Sequence, residues 1–180
     1  MIIKVRIKKL LSNAALVSGG IAVVSLLSLA AALTAQFGFG LTPCPLCLAQ
    51  RVPYAVTVLL GLAGLAMAKT GRPKITSFIV CLCSFFFLAG AGIAFYHNGV
   101  EQHWWESAVE GCKVNFGADD STKTLLQRIE ATAPAHCDQI AWADPILHLS
   151  MAAWNIFASA ALAVVSLISS ILIARKANGF

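Results

Sequence analysis

The chain has 180 residues, of which 58% are hydrophobic and only 12% charged, and its mean hydropathy is +0.78. A soluble domain carries roughly 25% charged residues, so this composition excludes a water-soluble globule and, by the same numbers, a disordered chain. The formal net charge of +5 is not the footprint of nucleic-acid binding, because the basic clusters flank apolar runs and so read as membrane-topology signals.

The chain opens on a basic arm with Lys4, Arg6, Lys8 and Lys9, followed by an uncharged stretch, Ala14 to Gln36. A basic start, an apolar run and small residues (Ala30, Ala31, Ala32) also fit a cleaved signal peptide. At 23 residues the run exceeds a signal h-region of roughly 7–15 residues, which favours an uncleaved spanning helix. A short loop, 37–51, carries Cys44 and Cys47. The second uncharged stretch, Val52 to Ala68, has 17 residues, at the lower limit for crossing a bilayer. The cluster Lys69, Arg72 and Lys74 separates it from a third, Ile75 to Tyr96. A long loop over 97–145 holds Cys112 and Cys137. The last stretch, Pro145 to Ala174, predicts a helix over about 147–174, followed by Arg175 and Lys176. These runs are continuous rather than alternating, so they predict helices. The expected fold is an all-α, single-domain bundle of four transmembrane helices.

The charges orient it. Nine of the thirteen basic residues lie in the N-terminal arm, the 69–74 turn and the C-terminal tail, and all eight acidic residues lie between Glu101 and Asp144. Basic segments stay in the cytoplasm. Both termini are therefore expected inside, and both cysteine-bearing loops outside, where disulfides persist.

Pro43-Cys44-Pro45-Leu46-Cys47 is a Cys-x-x-Cys pair. Its small ring gains little from chain entropy and is easily reduced, which suits redox work better than stapling. Cys47 sits near the start of the second helix, where a thiolate is stabilised. Arg51, the sole charge between Lys9 and Lys69, lies one turn on. It is expected to stabilise a thiolate or a polarised carbonyl, the alternative being an interfacial anchor. Cys112 and Cys137 are separated by 24 residues, and position alone leaves a structural bridge equally open. Asp119 to Glu130 has the spacing of a short amphipathic helix, lying on the membrane or packed on the loop. Trp104 and Trp105 suit an aromatic belt. Cys81 and Cys83 point to different faces of the third helix and read as packing residues. With a single close-spaced cysteine pair, a four-thiolate zinc site is disfavoured and no metal is expected. His97 reads as a polar cap closing the third helix. His103, His136 and His148 read as structural, and Met151 and Trp154, taken alone, as packing residues.

Pro-Cys-Pro-Leu-Cys-Leu-Ala-Gln-Arg at 43–51, Tyr-His-Asn-Gly-Val-Glu-Gln at 96–102, Cys112, Cys137 with Trp142 five residues later, and Leu-Ser-Met-Ala-Ala-Trp-Asn at 149–155 together resemble the disulfide bond formation protein B family. These are quinone-linked thiol oxidases of the bacterial inner membrane. The resemblance covers essentially the whole chain and implies an enzyme that supports disulfide formation in exported proteins. It implies that a Cys112–Cys137 disulfide oxidises a periplasmic DsbA-like, thioredoxin-fold partner. Cys137 then attacks Cys44, and Cys47 is left as a thiolate against a membrane quinone (ubiquinone or menaquinone), helped by Arg51. It also implies that His97 and Met151 lie near the quinone ring. Vitamin K epoxide reductase-like proteins are a rival, but their loop cysteines precede the Cys-x-x-Cys, the reverse of the order here. A four-helix membrane protein with purely structural outer disulfides is the other.

Overall fold

The computed structural model describes residues 2–109, 112 and 136–179. The amphipathic helix expected at 119–130 lies outside the described residues. Among them the regular secondary structure is all helical, apart from one isolated bridge between Ala143 and Ser150. In chain order the helices are α1 (Ile2–Leu11), α2 (Ala14–Gly38), α3 (Pro45–Ala49), α4 (Arg51–Lys69), α5 (Pro73–Glu101) and α6 (Met151–Ala177). Among the described residues four segments are long and apolar enough to cross a membrane: Ala14–Gly38, Pro45–Lys69, Pro73–Glu101 and Met151–Ala177.

Several boundaries differ from the sequence expectation, each for a local reason. The basic arm is itself helical as α1. The Asn13 side chain accepts the Leu16 N–H at 3.2 Å and so caps a new helix, α2, as short polar side chains do at N-caps. The second span begins at Pro45 rather than Val52. Pro45 occupies the first turn of α3 and Cys44 caps it; proline suits that position because its missing N–H would be unpaired there anyway. Pro53 then conflicts with the carbonyl four residues back, that of Ala49, and α3 stops at that residue. Helix α5 continues one turn beyond His97, to Glu101. It closes in a Schellman motif: Trp104 N–H bonds Gly99 O (2.9 Å), His103 N–H bonds Val100 O (3.1 Å), and His103 has φ 56°. Helix α6 starts at Met151 rather than near 147. Ser150 is its N-cap, and Asp144 holds the preceding turn through the N–H groups of Ile146 and Leu147.

Helix α5 packs chiefly on α6, α2 on α4, and α4 on α5. Small residues let the backbones approach. A Cβ on Gly61 would stand 2.8 Å from the Ala22 nitrogen, and one on Gly64 would stand 2.8 Å from Ser18 Oγ. Hydroxyls bind the seams, as expected where lipid offers no hydrophobic drive between helices. Ser25 and Thr57 share a hydrogen bond of 2.8 Å, Ser77 donates to Ser170 O, and Ser84 donates to Ala163 O. The buried core is Ile21, Tyr54, Val80, Cys83, Phe87, Ala163 and Ile173. Cys83 lies in it while Cys81 is exposed, so the two do not pair. The up-and-down order puts every cysteine-bearing loop at one end of the bundle and the nine clustered cations at the other.

Candidate redox centre

The site is assembled at one end of the bundle, where four elements meet. Cys44 is the N-cap of α3, and its Sγ accepts the Cys47 N–H at 3.2 Å. The two sulfurs lie 2.9 Å apart and are not bonded. His97, 3% exposed on α5, places Nε2 3.5 Å from Cys44 Sγ. The Cys47 thiol beside Cys44, and then the His97 ring and the Cys47 backbone N–H, pull the Cys44 thiol down to about 4 against the opposing effect of burial. Sequence reasoning assigned the stabilised thiolate to Cys47. The N-cap position instead gives the helix-terminal N–H to Cys44.

The imidazole tautomer is fixed by its neighbours. Gln50 Nε2 lies 3.3 Å from Leu46 O, which can only accept, so this atom is the amide nitrogen. The same nitrogen is 2.8 Å from His97 Nδ1, so Nδ1 accepts and Nε2 carries the proton, facing Cys44. Gln50 Oε1 in turn accepts from Asn155 Nδ2 (2.7 Å), and Asn155 Oδ1 accepts from the Tyr54 hydroxyl (2.6 Å) and from Ser159 (3.1 Å). This chain of bonds ties α4, α5 and α6 together behind the cysteines. Beyond His97, Glu101 is 8% exposed, with Oε1 3.8 Å from His97 Nε2. Its Oε2 accepts from the Ser150 hydroxyl, which also caps α6 by accepting the Ala153 N–H. Sequence reasoning missed Gln50, Glu101, Ser150 and Asn155. For Glu101 a signal was present, since an acidic residue four positions after a histidine shares its helix face.

Cys112 and Cys137 form a disulfide. Cys44, Leu46, Val100, Cys112 and Cys137 make one buried cluster, with Cys47, Tyr96 and Val109 packed against it. Both cysteine pairs are therefore in a single packed unit. Cys137 is 0% exposed and Cys112 is 6% exposed. Arg51 is brought elsewhere: it donates to Gln36 Oε1 (2.7 Å) and Ala32 O (3.5 Å) on α2. Met151, in the first turn of α6, is 44% exposed. Cys44, Cys47 and His97 offer ligand atoms within 4.8 Å of one another. The sulfurs, at 2.9 Å, are closer than the roughly 3.7 Å between two thiolates on tetrahedral zinc. That separation suits sulfur–sulfur chemistry.

A four-helix membrane bundle with a dithiol packed against a second disulfide is the architecture of a membrane thiol–disulfide oxidoreductase. A profile of the family described as "Disulfide bond formation protein DsbB" matches residues 14–169, and the chain belongs to that family. It is similar to the Disulfide bond formation protein B of Polaromonas sp., at 32% identity over 86% of this chain and 92% of that one. It is also similar to the proteins of the same name from Xylella fastidiosa (31% identity, 78% and 80% covered) and Aromatoleum aromaticum (29% identity, 80% and 82% covered). No solved structure gives a significant match. The protein is a polytopic inner-membrane enzyme of disulfide chemistry, and family membership implies that it works with a quinone.

Proposed function

We propose that the enzyme reoxidises a periplasmic DsbA-like, thioredoxin-fold thiol oxidase and passes two electrons to the membrane quinone pool. The observation that carries this reading is the packing of Cys112–Cys137 and the Cys44/Cys47 pair into one buried cluster. Disulfide exchange needs a thiolate attacker, a stabilised leaving sulfur and access. Cys112 is the less buried sulfur of its bond and takes the partner's attack. In the oxidised enzyme, where Cys44–Cys47 is closed, Cys137 leaves and attacks Cys44, and Cys47 is expelled with the negative charge. Cys112, freed as the partner closes its own disulfide, then takes Cys137 back and restores Cys112–Cys137, which leaves Cys44 and Cys47 as the reduced pair. Re-closure of that pair gives its two electrons to the acceptor.

The residues fit a lipid-soluble acceptor. Cys47 is half-buried at a membrane boundary, and the adjoining Leu48 and Val52 are 48% and 60% exposed. A bound quinone, ubiquinone or menaquinone, supplies a two-electron, two-proton acceptor. Arg51 is held at the α2–α4 seam by its bonds to Gln36 and Ala32 and keeps further N–H donors for a polarised carbonyl. His97 orients Cys44 through Nε2–H, and Met151 lines the outer start of α6.

Quinone absorbance is followed while the purified protein in detergent is given a reduced thioredoxin-fold oxidase. Turnover is expected, and Cys44→Ser, Cys47→Ser and Cys112→Ser are each expected to abolish it. Partner oxidation that survives Cys47→Ser would overturn the electron path. A Cys44–Cys47 pair that resists mild reductant, with no quinone reduced, would favour purely structural disulfides.

A further inference from the structure

We infer that Glu101 is a redox-linked proton carrier: it takes up a proton when Cys44 becomes a thiolate and gives it up when the Cys44–Cys47 bond closes. This deepens the proposed reading of the same site. A carboxyl group at the outer end of a spanning helix, 8% exposed, is expensive to keep ionised and is a functional candidate on that ground. The geometry supplies the reason. Glu101 Oε1 and Cys44 Sγ face the same nitrogen, His97 Nε2, at 3.8 and 3.5 Å. That nitrogen carries one proton, because Gln50 occupies Nδ1 as a donor. Two anions therefore compete for one N–H in a buried cluster. When the sulfur is negative it claims the donor, and the carboxylate beside it is relieved by protonation. When the sulfur is tied in a disulfide, the N–H returns to a carboxylate.

On its own helix Glu101 faces His97. From the start of α3 it faces Cys44 and Cys47, and from α6 the uncharged Ser150 hydroxyl. Arg51 is directed to α2. Among the described residues no lysine or arginine pairs with Glu101, and proton uptake at this carboxyl is the compensation assigned to the thiolate. The reaction then balances with groups in the site. The Cys44 thiolate and the Cys47 thiol lose two electrons and form the S–S bond, and one proton leaves Cys47 and one leaves Glu101. The quinone gains two electrons and two protons and becomes the quinol. Glu101 acts through His97 and is a positioning residue, and Ser150 holds it in register.

The test reads the Cys44–Cys47 couple itself and needs neither partner nor quinone. The full chain in detergent is equilibrated with oxidised and reduced dithiothreitol across a pH series. The state of each cysteine pair is read by alkylation and peptide mass. In the wild type both couples release two protons, so the exchange constant against dithiothreitol is expected to be nearly independent of pH. Glu101→Gln, which keeps an acceptor for Ser150, is expected to lose one proton from the protein couple, so that its exchange constant changes tenfold per pH unit. Glu101→Asp is expected to return part of the way to the wild-type behaviour. In the wild type, reduced-minus-oxidised infrared spectra are expected to show a protonated-carboxyl C=O band that Glu101→Gln lacks. An unchanged pH dependence in Glu101→Gln, or no such band in the wild type, would overturn the inference. The second readout holds if the variant does not fold. Failure of quinone turnover would strike the proposed function and leave this result standing.

Discussion

Cys44 is the residue on which the centre turns. Its thiol is pulled from 9.0 to about 4, first by the Cys47 thiol and next by His97. Because the value is depressed, the stabilisation of the reduced, folded site is complete above the ordinary thiol value and is lost as pH falls towards about 4. A stabilised thiolate favours the dithiol form, which makes the pair a stronger oxidant. Thiolate absorbance of the reduced protein should therefore persist to about pH 5 and vanish below about pH 4, well under the usual thiol range near 8.5. Cys47→Ala should move that titration upward further than His97→Ala does, since it removes the larger contact. A sequence can show that Cys44 precedes Pro45, but not that its sulfur, rather than that of Cys47, takes the N-cap. That follows from the ψ of 165° at Cys44, a backbone choice made by the packing around it. The cysteines, Arg51 and His97 stand out as residue types in a motif. Gln50 and Asn155 do not, because an amide in an apolar run gains meaning only from a partner 105 positions away.

At the scale of elements, the spans were legible because continuous apolar runs leave few alternatives, whereas their ends were not. The start of α6 moved to Met151 because a serine cap and an aspartate-held turn outweigh the apolar character of Ile146 and Leu147. The end of α5 moved to Glu101 because a Schellman closure needs a residue with positive φ, and His103 accepts that role. His103→Gly should relieve a left-handed cost of about 1 kcal/mol and raise the thermal midpoint in detergent. Gly61 has the opposite sensitivity. Its missing Cβ lets α4 lie on the Ala22 backbone, so Gly61→Ala should wedge α2 from α4 and cost about 1–3 kcal/mol, seen as a lower midpoint with helical content retained. A Cβ on Gly99 would clash with the Trp105 ring, which stacks on Tyr96 at 6.0 Å. The flatness of α5 there lets Trp105 lie against the bundle.

For the whole molecule, one end is basic and the other carries the redox centre and the acidic residues that are described, Glu101, Glu106, Asp138 and Asp144. The proposed orientation places the basic end in the cytoplasm. Alkaline phosphatase fused after residue 104 should be active, and fusions after residue 71 or residue 179 should be silent. The reverse pattern would invert the protein and remove the periplasmic partner. The gathering of the lysine and arginine clusters at one end of the bundle was readable from charge alone, since their sorting is a property of the one-dimensional chain. The joining of both cysteine pairs into one cluster was not, because it depends on how α5 and α6 bring distant loops to the same corner.

That corner has a further consequence. Cys112 and Cys137 are anchored against the bundle by their own burial, so the 24 residues between them form an insert with both ends pinned. Doubling such an insert adds only about 0.6 kcal/mol of closure entropy. A lineage can therefore change the length of the sequence between these two cysteines at small entropic cost while the buried cysteine cluster stays as it is.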